Sequence, residues 1–144
     1  MKALFVCTGN TCRSPMAAAL WGRLGGVGAS AGLYARDGEP ASANAVRVME
    51  EMGLDLSGHR AQTVTESMVR DADAVFGMTE THAAALAARF PAQRGKIRPL
   101  PLEIPDPFGG DLEDYRTCAD HLLHRKCADF DFFTYRDLYG EQLA

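Results

Sequence analysis

Hydrophobic positions fall into short runs and helical stripes that alternate along the chain. Residues 2–6 form a short apolar run closed by a Gly/Asn turn, which predicts a buried central strand. Ser14 and Pro15 then suit the cap and first position of a helix reaching about Leu24. Met16, Leu20 and Leu24 recur every four residues on its inner face, and Gly25-Gly26 stops it. Residues 27–31 read as a second strand. Residues 42–52 read as a helix with Ala45, Met49 and Met52 inward and Gly53 at its end. Thr63 and Glu66 have capping-box spacing, predicting a short helix near Thr65. Residues 74–78 form a third strand, and Thr79 caps a helix ending near Arg89. Residues 96–100 form a fourth strand, weakened by Pro99. A Pro/Gly-rich loop over residues 101–110 leads to Asp111, which caps a last helix with Tyr115, Ala119, Leu122 and Leu123 inward.

Strand and helix thus alternate, as in an α/β chain with a parallel sheet covered by helices. The 144 residues fit one domain, with no internal repeat or linker. Its expected extent is residues 1–128. The tail, residues 129–144, carries Phe130, Phe132, Phe133, Tyr135 and Tyr139 and is expected to fold back onto the domain; an interaction patch is the alternative. A net charge of −4 and a pI near 5.5 argue against general nucleic-acid binding. No apolar run reaches membrane-spanning length, and no export signal is evident, so a cytoplasmic protein is expected. The cysteines, Cys7, Cys12, Cys118 and Cys127, should then stay reduced, and their spacing matches no paired zinc knuckle.

Ligands of open parallel sheets bind at the carboxyl ends of strands, near helix N-termini. The segment expected there is Cys7-Thr8-Gly9-Asn10-Thr11-Cys12-Arg13-Ser14-Pro15. Gly9 and Asn10 tolerate left-handed backbone, so the loop can wrap with its N–H groups inward as an anion nest. Arg13 can grip two phosphate oxygens at once. Cys7 ends the strand inside the same positive field, and such fields favour the thiolate, an in-line nucleophile toward phosphorus.

At these residues the chain resembles the low-molecular-weight protein tyrosine phosphatase family. The likeness runs through Ser30-Ala31-Gly32, His59-Arg60 and Asp106-Pro107 to the last helix. The resemblance implies a three-layer flavodoxin-like sandwich with strand order 2-1-3-4. It implies Cys7 as nucleophile, Arg13 as phosphate ligand and Asp106 as general acid. Thr8, Gly9, Asn10, Thr11, Cys12, Ser14 and Phe108 would line the substrate site. Ser14 can cap the helix, donate to the Cys7 sulfur as the family's matching serine does, or do both. Ser30 and His59 match residues that hydrogen-bond the loop asparagine, here Asn10. Cys12 either packs beneath the loop or forms a reversible disulfide with Cys7. No metal or organic cofactor is implied, and phosphorylated proteins are the expected substrates of a monomer.

Tyrosine-directed members commonly carry a bulky aliphatic at the Thr11 position and an aromatic pair after Asp-Pro. This chain has Thr11 and Phe108-Gly109-Gly110, which resemble the protein arginine phosphatase branch. Phosphoarginine is therefore expected over phosphotyrosine. The rivals are an arsenate reductase, a non-catalytic phosphoprotein-binding module and a purely structural domain. An arsenate reductase would need cysteines beyond the third strand, and residues 78–90 contain none.

Overall fold

The computed structural model describes residues 2–23, 25–100 and 106–123. Among them, β1 (Lys2–Cys7), β2 (Val27–Gly32), β3 (Ala74–Gly77) and β4 (Ile97–Pro99) form one parallel sheet in the order β2-β1-β3-β4. The helices are α1 (Arg13–Arg23), α2 (Ala43–Glu51), α3 (Glu66–Asp71), α4 (Glu80–Arg89) and α5 (Leu112–Leu123). A 3-10 helix, Pro91–Lys96, leads into β4.

The apolar run of β1 is continuous because both sheet faces are covered. Ala3, Phe5 and Cys7 point toward α1, α2 and α5, while Leu4 and Val6 point toward α3 and α4. Phe5 stacks on Phe76 at 5.5 Å and meets Trp21 edge-on at 6.0 Å. The inner stripe of α1 is Met16, Ala17, Leu20 and Trp21. Leu24 lies outside the described residues. So do the tail and Cys127, and the side chain of Leu123 is likewise not described.

Ser42, Thr65 and Thr79 cap α2, α3 and α4 by accepting from Ala45, Met68 and His82 N–H groups. Asp111 and Asp114 cap α5 reciprocally: each carboxylate accepts the other's backbone N–H at 3.0 Å. Two local expectations are corrected. Thr63 forms no capping box with Glu66; its hydroxyl donates to the Ala35 carbonyl and the Asp37 carboxylate, tying down the loop after β2. Nor does Ser14 cap α1. The helix begins at Arg13, so Ser14 already lies within the first turn and its hydroxyl is free for other work.

Candidate active site

The loop between β1 and α1 wraps back on itself at Asn10, which holds a left-handed φ of 58° and is fully buried. Its side chain explains why it stays there. Asn10 Nδ2 donates to Ser14 Oγ at 2.9 Å, and Oδ1 accepts from the Gln62 N–H at 3.0 Å. Its carbonyl accepts from His59 Nε2 at 2.7 Å.

Where the loop's carbonyls go decides where its amides point. Cys7 O accepts from Leu33 N, Thr8 O from Tyr34 N, and Thr11 O from Ser42 N, at 2.9, 3.0 and 2.9 Å. With Asn10 O held by His59, four loop carbonyls are bonded to surrounding elements. A trans peptide sets N–H opposite C=O, and no described peptide is cis. The amides of Thr8, Gly9, Thr11 and Cys12 therefore face the opposite way. That side is a cavity of about 450 Å³ lined by Cys7, Thr8, Gly9, Thr11, Cys12 and Arg13. The positive end of α1 adds to these amides, and the result is a preformed oxyanion cradle.

Gly32 sets how closely β2 backs this loop. A methyl group there would lie 2.6 Å from the Thr8 carbonyl and 3.1 Å from the Asn10 nitrogen. Gly32→Ala is expected to cost about 1–3 kcal/mol, read as a lower urea midpoint; an unchanged midpoint would mean that the strand yields.

At the floor, Cys7 is buried, and its Sγ lies 3.0 Å from Ser14 Oγ. Asn10 donates to Ser14, so the Ser14 hydrogen goes either to the Ala31 carbonyl at 3.4 Å or to the nearer sulfur, which as a thiolate can only accept. Arg13 is buried too, and its Nη2 lies 3.5 Å from Asp106 Oδ2 at the cavity mouth. Asp106 is half-exposed and also accepts the Phe108 N–H at 3.0 Å, an Asx turn that fixes the loop before α5. Phe108 and Tyr34, 75% and 73% exposed, are apolar walls at the rim. Arg36 and Glu39 line the same rim.

The expected site residues thus converge, with one difference. Asn10 bonds Ser14, His59 and Gln62, whereas Ser30 lies one link further out: its carbonyl accepts from Gln62 Nε2 at 3.0 Å. Cys12 Sγ sits 3.2 Å from the Tyr115 hydroxyl and donates to Ser42 Oγ at 3.6 Å. Burial, reinforced by Cys12, pushes the Tyr115 phenol up to about 12, so it remains a neutral partner. Burial likewise pushes the Cys118 thiol up to about 12, which leaves it a core residue. Cys7, Cys12 and Cys118 are all free thiols. Sequence reading missed Gln62, Tyr115 and His82. His82 Nε2 lies 3.0 Å from Thr8 Oγ1, and its Nδ1 lies 3.1 Å from Thr79 Oγ1. Burial and the Arg13 charge hold the His82 imidazole below its ordinary range, while Asp106 opposes them.

This sheet, with a thiol beneath an amide cradle at its switch point, is the architecture of a cysteine-dependent phosphatase. Residues 2–131 match the family model described as low molecular weight phosphotyrosine protein phosphatase, and the chain belongs to that family. It is 41% identical over 131 residues to the protein-arginine-phosphatase of Geobacillus stearothermophilus, covering 84% of this chain and 88% of that one. It is 43% identical over 125 residues to the probable low molecular weight protein-tyrosine-phosphatase EpsP of Ralstonia nicotianae, covering 83% and 86%. The solved YwlE arginine phosphatase from Geobacillus stearothermophilus matches with a TM-score of 0.81 at 36% identity, covering 99% of this chain and 95% of that one. The chain is therefore a phosphoprotein phosphatase, in a family whose mechanism passes through a phosphocysteine.

Proposed function

We propose that this phosphatase hydrolyses phosphoarginine on proteins, using Cys7, Arg13 and Asp106. The observation that carries the reading is the Arg13–Asp106 ion pair at the cavity mouth. An incoming phosphoryl group takes Arg13 and leaves Asp106 without its cation. Phosphoarginine brings a guanidinium of its own to replace it, so one substrate satisfies both partners of the broken pair. Phosphotyrosine supplies only the anion. The arginine stem can lie along Phe108 and Tyr34 at the rim.

In the first step the Cys7 sulfur attacks phosphorus in line, and the bond from phosphorus to guanidinium nitrogen breaks. Nitrogen takes the electron pair and receives a proton from Asp106, which enters this step as the carboxylic acid and meets the substrate's guanidinium N–H through its other oxygen. The amide cradle and Arg13 hold the equatorial oxygens throughout. In the second step water attacks phospho-Cys7 and gives its proton to Asp106. Inorganic phosphate and the free thiolate result. Thr11 narrows the cavity beside phosphorus with a small polar side chain.

Phosphotyrosine remains the second reading, because two exposed aromatics flank the mouth and would also receive a phenyl ring. The test compares kcat/KM for one peptide carrying either modified residue. A clear preference for phosphotyrosine overturns the substrate while leaving the mechanism. Thr11→Ile is expected to move the ratio toward phosphotyrosine by about tenfold; an unchanged ratio removes Thr11 from the explanation.

The protein is read as a cytoplasmic monomer, since a thiolate nucleophile is useful only where thiols stay reduced. No described helix is long and apolar enough to cross a membrane. The net charge of −4 offers no general attraction to nucleic acid.

A further inference from the structure

We propose that His82 orients the Thr8 hydroxyl as an additional hydrogen-bond donor to the bound phosphoryl group, which makes His82 a positioning residue for the reaction. The inference rests on the phosphatase reading of the cradle. Its basis is a short chain of side chains in which the place of every hydrogen can be worked out.

Thr79 Oγ1 accepts the His82 backbone N–H at 3.2 Å as the cap of α4. The same oxygen lies 3.1 Å from His82 Nδ1, and it still has its own hydrogen to give. Donation from Thr79 to Nδ1 puts the imidazole hydrogen on Nε2. Nε2 then donates to Thr8 Oγ1, 3.0 Å away. An oxygen that accepts there keeps its hydrogen for another partner. Thr8 is exposed and lines the cavity that the amides face, so that hydrogen is available to an oxyanion.

The opposite tautomer wastes the arrangement. A hydrogen on Nδ1 would give Thr79 Oγ1 two N–H donors and no described acceptor for its own hydrogen. Nε2 would then draw the Thr8 hydrogen away from the cavity. The surroundings also oppose a doubly protonated ring. His82 is buried, which disfavours its charged form, and Arg13 repels a second cation while Asp106 partly offsets it. Thr8 consequently offers both its amide and its hydroxyl to one ligand. The chain Thr79–His82–Thr8 ties the start of α4 to the phosphate loop across 71 residues of sequence.

Three measurements test this. Nitrogen-15 spectra of the wild-type protein at neutral pH should show His82 protonated on Nε2 and bare on Nδ1. The reverse tautomer overturns the proposal without touching the phosphatase reading. The inhibition constant for inorganic phosphate should rise about tenfold in Thr8→Val and stay within about twofold in Thr8→Ser. Unchanged phosphate binding in Thr8→Val overturns it as well. His82→Ala should weaken phosphate about fivefold with Thr8 present and have no further effect beside Thr8→Val. An equal loss in both backgrounds would mean that the imidazole merely packs. The spectra and the Thr8 variants decide the matter even if His82→Ala does not fold. Absence of all phosphatase activity, with the Thr8 effect on phosphate intact, would sink the enzymatic reading and leave the donor in place.

Discussion

Cys7→Ser is expected to abolish turnover of p-nitrophenyl phosphate, by at least about 10⁴-fold, in a protein that still folds and still binds vanadate. The size of the effect follows from the chemistry of one atom. A serine hydroxyl remains protonated at neutral pH, and no described base stands against residue 7 to take its proton. The nearest partner is the Ser14 hydroxyl, which suits a sulfur anion as a donor but is not a base. Folding should survive, since serine is smaller than the buried cysteine and can keep the bond to Ser14. The amides of the cradle and Arg13 are untouched, so the affinity for vanadate should change by no more than a few-fold. Activity above about one percent of wild type would point to a different nucleophile.

Asp106→Asn should lower kcat by about 10²–10⁴-fold, and the loss should depend on what leaves. A nitrophenolate departs without help, so p-nitrophenyl phosphate marks the low end. The nitrogen of phosphoarginine cannot leave without a proton and marks the high end. KM for the aryl phosphate should not rise, since the substitution removes the carboxylate that holds Arg13 at 3.5 Å before substrate arrives, whereas KM for the phosphoarginine peptide should rise with the loss of the group its guanidinium meets. Parallel kcat values for a phosphoarginine peptide and the aryl phosphate separate the possibilities. Equal losses on both would reduce Asp106 to an electrostatic partner of Arg13 and end its role as acid.

Much of the fold was written in local patterns. The apolar run of β1, the alternation of strand with helix, and the caps Thr79 and Asp111 are all short-range signals, and the structure carries each of them. The loop was legible because Gly9 and Asn10 are residue types that a tight anion-binding wrap demands. Ser14 misled because a serine before a proline looks like a cap wherever it stands. The three-dimensional course of the loop starts helical backbone at Arg13 and rules out the cap, while the bond to the Cys7 sulfur, the other reading of Ser14, is present. Gln62 and His82 carried no local signal, and the periodicity that turned Tyr115 inward did not say that it meets Cys12. Each reaches the loop from 52 to 103 positions away in sequence, through packing that periodicity does not encode. The same limit applied to Ser30, where the backbone carbonyl rather than the hydroxyl joins the network around Asn10.

Asn10 is held buried in its unusual conformation by the chain's own groups, Ser14, His59 and Gln62. The receptor for a tetrahedral anion is thus completed when the chain folds, and ligand arrival need reorganise little. Phosphate, vanadate and sulfate should then all be tolerated guests, discriminated weakly by the floor. Whatever selectivity this catalyst has must reside around its mouth, and retargeting it would mean redesigning Thr11, Tyr34, Arg36, Glu39 and Phe108 about a retained Asp106.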